Sequence, residues 1–111
     1  MLYHQKYFES IHKGLLSTLY FVSGEEKEGN LFFESIKNIL SGLRDDRKKI
    51  YFFGNGASAA FANHMALDFS KNGKILSRSL SDSAMLTALS NDYKYEDAMV
   101  EFLKMEGVSN E

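Results

Sequence analysis

Polar side chains and glycines follow an apolar run at residues 50–53 and precede an alanine-rich stretch. Gly54-Asn55-Gly56-Ala57 leads directly into Ser58. Ligands of parallel α/β sheets bind outside the carboxyl ends of the strands, where free N–H groups and the helix dipole favour an anion. Glycine lets the backbone approach a ligand closely, and Asn55 and Ser58 add hydrogen-bonding groups. The segment is a candidate anion-binding loop; the alternative is a tight strand-to-helix turn in which Ser58 only caps the helix.

His64 and Asp68 stand four residues apart in the helix predicted to follow this loop. This spacing places both side chains on one helix face. An imidazole nitrogen and a carboxylate oxygen so placed can share a divalent metal ion, or Asp68 could act as a general base. The alternative is a surface His–Asp pair, because two ligands do not make a metal site.

Asp82 and the group Asn91-Asp92-Tyr93 follow the second predicted strand and could reach the same edge of the sheet. The alternatives are helix capping by Asp82 and turn formation by Asn91-Asp92. From the residues alone, capping and turn formation are favoured.

The elements that must hold these residues are predicted from apolar spacing and from the positions of glycine. Apolar steps of three and four predict helices, and a short apolar run ended by glycine predicts a strand buried on both faces. The prediction is helices at residues 3–22, 31–43, 58–71, 83–89 and 96–105, strands at 50–53 and 74–81, a loop at 23–30 and a turn at 91–93. Asn30 is a candidate N-cap, and Asn72-Gly73 is expected to end the third helix with glycine in the left-handed conformation.

The predicted order α-α-β-α-β-α-α implies an α/β class with parallel strands. Two strands are too few for a stable parallel sheet covered on both sides, so more sheet is expected from a longer natural chain or from another subunit. The predicted domains are amino-terminal helices at residues 1–45 and the first part of an α/β domain at residues 46–111.

The composition is ordinary for a globular domain: 111 residues, 44% hydrophobic and 25% charged, with a formal net charge of −2. This charge gives no broad cationic footprint, so nucleic acid is not an expected partner. The absence of cysteine excludes disulfides and thiolate metal sites. The start does not resemble a secretory signal and no apolar run is long enough to span a bilayer, so no membrane partner is expected and a cytoplasmic location is the default.

Two segments together resemble the phosphoheptose isomerases of the sugar isomerase (SIS) domain family. The family shows GNGGSA, a histidine six residues after the serine, and a later (T/S)D…LTA…NDY/F stretch. The matching segments here are Gly54-Asn55-Gly56-Ala57-Ser58-Ala59-Ala60 with His64, and Asp82 through Leu86-Thr87-Ala88 to Asn91-Asp92-Tyr93. The similarity extends from about residue 50 to residue 101, and the preceding helical pair matches the family's amino-terminal helices.

The resemblance implies a flavodoxin-like parallel sheet flanked by helices and a homotetramer with active sites at subunit interfaces. It implies isomerisation of sedoheptulose 7-phosphate to a heptose 7-phosphate, on the route to surface polysaccharides such as lipopolysaccharide or capsule. The proton would move between adjacent carbons through an enediol, with a base, an acid and a metal serving that step.

Carried over by position, the resemblance implies roles for six residues. His64 would be a zinc ligand. Asp68, where the family usually has glutamate, would be both a metal ligand and the catalytic acid/base. The substrate-binding residues would be Asn55, Gly56, Ser58 and Asp92.

Three departures from the family pattern bear on activity. Ala57 replaces a glycine of the loop, and Asp68 is one methylene shorter than glutamate, which matters because catalysis depends on placement. The chain also stops before the family's serine-rich phosphate loop and its later Gln and His, so the 111 residues alone are expected to be inactive. The alternative function is a non-catalytic SIS module that binds a phosphosugar or serves as a scaffold, as in the replication-initiator-associating relatives. A third possibility is a helical interaction domain with an incidental βαβ unit.

Overall fold

The computed structural model describes residues 2–108, and the chain divides into two compact units, Met1–Ser41 and Gly42–Glu111. The predicted domain boundary after residue 45 stays a prediction. Helices and strands follow one another in the order α1 (Tyr3–Leu16), β1 (Tyr20–Val22), β2 (Glu25–Lys27), α2 (Gly29–Asp45), β3 (Lys49–Phe52), α3 (Ala57–Lys71), β4 (Leu76–Ser79), α4 (Ser83–Asp92) and α5 (Ala98–Met105), with a 3₁₀ turn at Tyr95–Asp97. The predicted α/β class with a small parallel sheet is confirmed.

The first helix is shorter than predicted, because α1 ends at Leu16 rather than at residue 22. The hydroxyl of Ser17 donates to the Gly14 carbonyl oxygen at 3.0 Å, and Thr18 reaches the same oxygen at 3.5 Å. Serine and threonine compete in this way for backbone partners and favour helix ends. The apolar residues that follow Ser17 and Thr18 therefore lie outside the helix.

A β-hairpin occupies most of the segment that the sequence assigned to a loop. β1 pairs with β2 in antiparallel register, from Tyr20 opposite Lys27 to Val22 opposite Glu25. Ser23 and Gly24 form the two-residue turn, with φ of 52° and 81°. Two positive φ values give the turn whose twist suits a tight hairpin. The loop prediction was wrong because Ser23 and Gly24 alone form the turn, and the residues on both sides pair as strands.

The second helix begins before the predicted cap. α2 starts at Gly29, and its first bond runs from the Phe32 N–H to the Glu28 carbonyl oxygen at 3.0 Å. Asn30 therefore lies inside the helix, and its prediction as N-cap was wrong. The Tyr20 ring packs on the rings of Phe32 and Phe33, with centroids 5.1 and 5.7 Å away, and this aromatic contact links the hairpin to α2.

The parallel sheet consists of β3 and β4, in register from Lys49 opposite Leu76 to Phe52 opposite Ser79. Because side chains alternate along a strand, β3 presents two faces. Phe52 packs on Phe69 of α3, with ring centroids 5.1 Å apart. On the other face, Phe53 contacts Phe102 of α5 edge-to-face at 6.0 Å. The sheet is thus covered by α3 on one side and by α5 on the other.

The core of the second unit lies between the sheet and the helices α4 and α5. Phe102 is 2% exposed and Ala98 is fully buried, and Leu89 of α4 joins them. Glu106, just after α5, holds this layer to the sheet by accepting from Arg78 at 3.1 Å and from Tyr51 at 3.3 Å.

The connections around β4 correct two further predictions. The left-handed residue after α3 is Lys74, with φ of 56°, and not Gly73. Gly73 is required for another reason, because a Cβ there would lie 2.8 Å from the Phe69 carbonyl oxygen. α4 runs on to Asp92, with Tyr93 as its C-cap, so the predicted turn at residues 91–93 was wrong. Among residues 2–108, no helix has the length and apolar character needed to cross a membrane.

Candidate functional site

The loop between β3 and α3 has a shape that two glycines make possible. At Gly54 an added Cβ would lie 2.5 Å from the Ser58 carbonyl oxygen and 2.8 Å from the Ala59 nitrogen, so only glycine lets the first turn of α3 approach the strand. Gly56 precedes the helix with φ 58° and ψ −125°, a conformation that L side chains avoid. The loop is thus a sharp turn at the carboxyl end of a parallel strand, as predicted.

Three consecutive N–H groups of this loop are available to a ligand. Among residues 2–108, the N–H groups of Asn55, Gly56 and Ala57 donate no hydrogen bond, whereas Ser58 N–H donates to the Asn55 carbonyl oxygen at 3.1 Å. All three residues are exposed. Free donors at the start of a 15-residue helix give the loop the positive partial charge that favours an anion.

A crevice of about 110 Å³ lies beside the loop. Its walls come from the end of β3, the loop, the inner face of α3, the segment after β4, α4, the 3₁₀ turn and α5. The lining residues are Phe52, Phe53, Gly54, Asn55, Gly56, Ala59, Ala62, Asn63, Leu80, Leu86, Tyr95 and Met99. Pockets for whole small molecules usually measure about 300–1,000 Å³, so this crevice has room for only part of a sugar phosphate.

The side chain of Asn55 is held from the opposite side of the crevice. The hydroxyl of Tyr95 donates to Asn55 Oδ1, forty residues away in sequence. Tyr95 begins the 3₁₀ turn that leads into the buried Ala98. The core of the second unit therefore positions the ring and the hydroxyl of Tyr95 at the loop.

Ser58 does not cap α3. The residue before the helix is Gly56, which has no side-chain cap, and Ser58 is the second residue of the helix. Ser58 is exposed but is not among the residues that line the crevice. The capping alternative for this residue was wrong, and its predicted contact with substrate stays a prediction.

His64 and Asp68 lie together on the outer face of α3. His64 Nε2 is 3.3 Å from Asp68 Oδ2, and the two side chains are 64% and 39% exposed. The inner face of the same helix carries the buried Ala62 and Ala66, which face the sheet. His64 therefore points away from the crevice that its own chain forms. In the described residues 2–108, no group of three or more His, Cys, Asp or Glu side chains could hold a metal ion.

Asp82 caps α4, since its Oδ1 accepts from the Met85 N–H at 3.0 Å. This confirms the capping alternative. Asp92 is the last residue of α4 and accepts a long hydrogen bond from Asn91 Nδ2 at 3.5 Å. Asp92 is exposed and is not among the crevice residues.

Tyr95 and Asn63 are crevice residues that the sequence did not single out. Asn63 Oδ1 accepts from the hydroxyl of Ser79 at 2.8 Å, which links α3 to the end of β4. No spacing rule connects Tyr95 to a loop forty residues earlier. Only the packing of α4 and α5 on the sheet brings them together.

The fold and the loop define an α/β protein with a glycine-containing turn, rich in free N–H groups, at the carboxyl edge of a parallel sheet. The chain is related in sequence to the phosphoheptose isomerases, which confirms the resemblance. It is 35% identical over 102 residues to the phosphoheptose isomerase of Nitratiruptor, covering 86% of this chain and 47% of that protein. It is 31% identical over 113 residues to the enzyme of Geotalea uraniireducens, covering 94% and 52%. It is 32% identical over 80 residues to that of Helicobacter pylori strain Shi470, covering 67% and 42%.

The chain thus spans about half the length of the curated relatives it matches, from 42% to 52% in these three. No family model matches the chain. No solved structure matches it.

Proposed function

We propose that this chain contributes to an isomerase that interconverts the ketose and aldose forms of a phosphorylated sugar such as sedoheptulose 7-phosphate. The three free N–H groups of residues 55–57, exposed at the carboxyl edge of the sheet, carry the proposal. The relatives are phosphoheptose isomerases, and this supports the type of reaction and the class of substrate. A role in surface polysaccharide synthesis and a cytoplasmic location stay predictions.

The binding half of the site is the loop with the Asn55 side chain. Backbone N–H groups accommodate a negatively charged or hydroxyl oxygen without a bulky side chain in the way. Asn55 Nδ2 adds two N–H donors, because its oxygen is engaged by Tyr95. Gly56 lets the ligand approach the backbone, and Ser58 and Asp92 are proposed to complete the contacts.

The proton-transfer half is proposed to be Asp68. Its carboxylate would remove the proton from the hydroxyl-bearing carbon next to the carbonyl and deliver it to the former carbonyl carbon. The hydroxyl proton would pass to the carbonyl oxygen, so that an enediol lies between the ketose and the aldose. His64 neighbours this carboxylate at 3.3 Å. Both side chains are on the outer face of α3, so the crevice of the same chain does not bring substrate to them.

Zinc is a proposed cofactor. The donors of His64 and Asp68 fit zinc chemically and lie close enough to share an ion, but zinc takes four ligands. No third ligand joins them within residues 2–108, so the remaining ligands must come from elsewhere. Bound there, the metal would polarise a carbonyl oxygen of the substrate.

A homotetramer and a complete SIS-type, flavodoxin-like sheet are part of the proposal. Two parallel strands form a minimal sheet, and more strands would stabilise it. A second copy would also explain how the outer face of α3 meets a substrate, since active sites at subunit interfaces take residues from two chains.

The second candidate function is a non-catalytic module that binds a phosphosugar or acts as a scaffold. The outward orientation of His64 and Asp68 favours it, because neither side chain lines the crevice beside the proposed anion-binding loop.

Turnover of sedoheptulose 7-phosphate by the intact protein separates the two functions. The proposal predicts turnover in the wild type and a loss of at least about a hundredfold in Asp68→Asn, the size typical of losing a general acid or base. Asp45→Asn, at an exposed carboxylate at the end of α2, is the control and should keep full activity.

Wild-type protein that binds the sugar phosphate without turning it over would establish the non-catalytic module. Equal turnover by Asp68→Asn and the wild type would refute the assignment of Asp68.

A further inference from the structure

The contact between Tyr95 and Asn55 has a consequence for what the loop can recognise. An asparagine amide can present either its oxygen or its NH₂ group to a ligand, and the two ends have opposite hydrogen-bonding character. Because the Tyr95 hydroxyl binds Oδ1, the NH₂ end remains for the crevice. The loop around it adds three free N–H donors, at residues 55, 56 and 57.

We propose that Tyr95 is a positioning residue: it fixes the Asn55 amide so that its NH₂ group, beside the free N–H groups of the loop, faces the oxygens of the sugar phosphate. The inference rests on the proposed function for the identity of the ligand. Its structural part, the fixed orientation of Asn55, holds or fails without any ligand.

The position of Tyr95 suits this role. The 3₁₀ turn Tyr95–Asp97 is followed at once by Ala98, which is fully buried, and by Met99, which also lines the crevice. Tyr95 therefore lies three residues from the buried core, although the residue itself is 58% exposed. Its partner Asn55 is exposed.

Stability is an inadequate explanation for the contact. Both partners are exposed, and a hydrogen bond between exposed groups adds little to folding. An Asn55 amide that is free to rotate would instead spend part of its time with the oxygen facing the ligand, where it would repel a phosphate or a hydroxyl lone pair. Fixing the amide removes that state before binding.

Tyr95→Phe tests the proposal, because it keeps the ring and removes only the hydroxyl. The matched control is Tyr7→Phe, at a tyrosine of similar exposure, 54% against 58%, on α1. The first readout is ¹⁵N relaxation of the Asn55 side-chain amide without ligand. We expect an order parameter above about 0.8 in the wild type and in Tyr7→Phe, and below about 0.6 in Tyr95→Phe.

The second readout is the Kd for sedoheptulose 7-phosphate in the intact protein. We expect about a tenfold rise in Tyr95→Phe and no change in Tyr7→Phe. In an Asn55→Ala background, Tyr95→Phe should have no further effect, because a residue that acts through Asn55 has nothing left to position.

An Asn55 amide that is equally mobile in the wild type and in Tyr95→Phe would overturn the proposal. Full additivity of the two substitutions in Kd would overturn it as well. Wild-type protein that holds Asn55 rigidly, loses that rigidity in Tyr95→Phe and yet fails to bind the sugar phosphate would refute the proposed function and leave the positioning role standing.

Discussion

The two faces of α3 differ in how completely this chain builds them. The inner face carries small buried residues, Ala62 and Ala66, and closes on the sheet. The outer face carries Phe61, which is 71% exposed, with His64 and Asp68 beside it. The inner face thus lines the crevice beside the proposed binding loop, the outer face carries the proposed proton-transfer pair, and only the inner face has its surroundings in place.

The difference shows what each face requires. Alanine lets a helix approach a strand closely, and that approach sets the position of the loop at the start of α3. The outer face has an apolar hollow beside His64, lined by Ala57, Ala60, Phe61 and Met65, with a volume of about 300 Å³. The catalytic role proposed for the outer face depends on atoms that the described residues of this chain do not supply.

The largest expected effect on stability comes from placing a methyl group between the end of β3 and the first turn of α3. Gly54→Ala should lower the free energy of unfolding by about 3 kcal/mol, the upper part of the range for overpacking, because the new methyl meets the backbone of Ser58. Chemical denaturation measures it. Gly42→Ala is the control: nothing lies within 4 Å of its new methyl, and a helical alanine should add about 0.5–1 kcal/mol. Equal stability of Gly54→Ala and the wild type would show that the loop is not tightly held.

A matched pair of leucines tests the inner face against the outer face. Ala62→Leu should cost about 2 kcal/mol of unfolding free energy, because the larger side chain enters a filled space. Ala60→Leu, on the exposed side, should change it by less than about 0.5 kcal/mol. Thermal and denaturant unfolding of both variants provide the comparison, and equal effects at the two positions would contradict the assignment of the faces.

The contact between α3 and β4 should have a smaller effect. Asn63→Ala and Ser79→Ala should each cost about 1 kcal/mol of unfolding free energy, because each removes the same hydrogen bond of 2.8 Å. The double variant should cost little more than either single variant. Costs that simply add would indicate that the two side chains act independently.

The smallest expected effect on stability comes from the outer face. His64→Ala should change the free energy of unfolding by less than about 0.5 kcal/mol, because the pair with Asp68 is exposed. Zinc content of the intact protein, measured by mass spectrometry, should fall in the same variant. Unchanged zinc would remove His64 from the proposed ligands, while a large loss of stability would show that the pair has a structural role.

Much of the secondary structure of the second unit was predictable because it follows from residue patterns within short segments. The apolar run at residues 50–53 and the alanines after Ser58 predicted β3 and α3 to within a residue at each end. The hairpin at Tyr20–Lys27 was missed because its strands are only three residues long. The link between Tyr95 and Asn55 was missed because it depends on tertiary packing between distant segments.

The placement of His64 illustrates an intermediate case. Spacing alone predicted that His64 and Asp68 share a helix face, and they do. Whether that face is the inner or the outer face of α3 depends on where the sheet packs. The alanines two residues before and after His64 mark the inner face, but this can be recognised only once the position of the sheet is known.

The central claim is that the turn after β3 binds a phosphorylated sugar through its own amides. Titration of ¹⁵N-labelled protein with sedoheptulose 7-phosphate, followed by amide chemical shifts, tests it most directly. We predict that the amides of Asn55, Gly56 and Ala57 and the Asn55 side chain shift first and most, with a single Kd. Shifts concentrated at other residues while these four signals stay unchanged would contradict the claim.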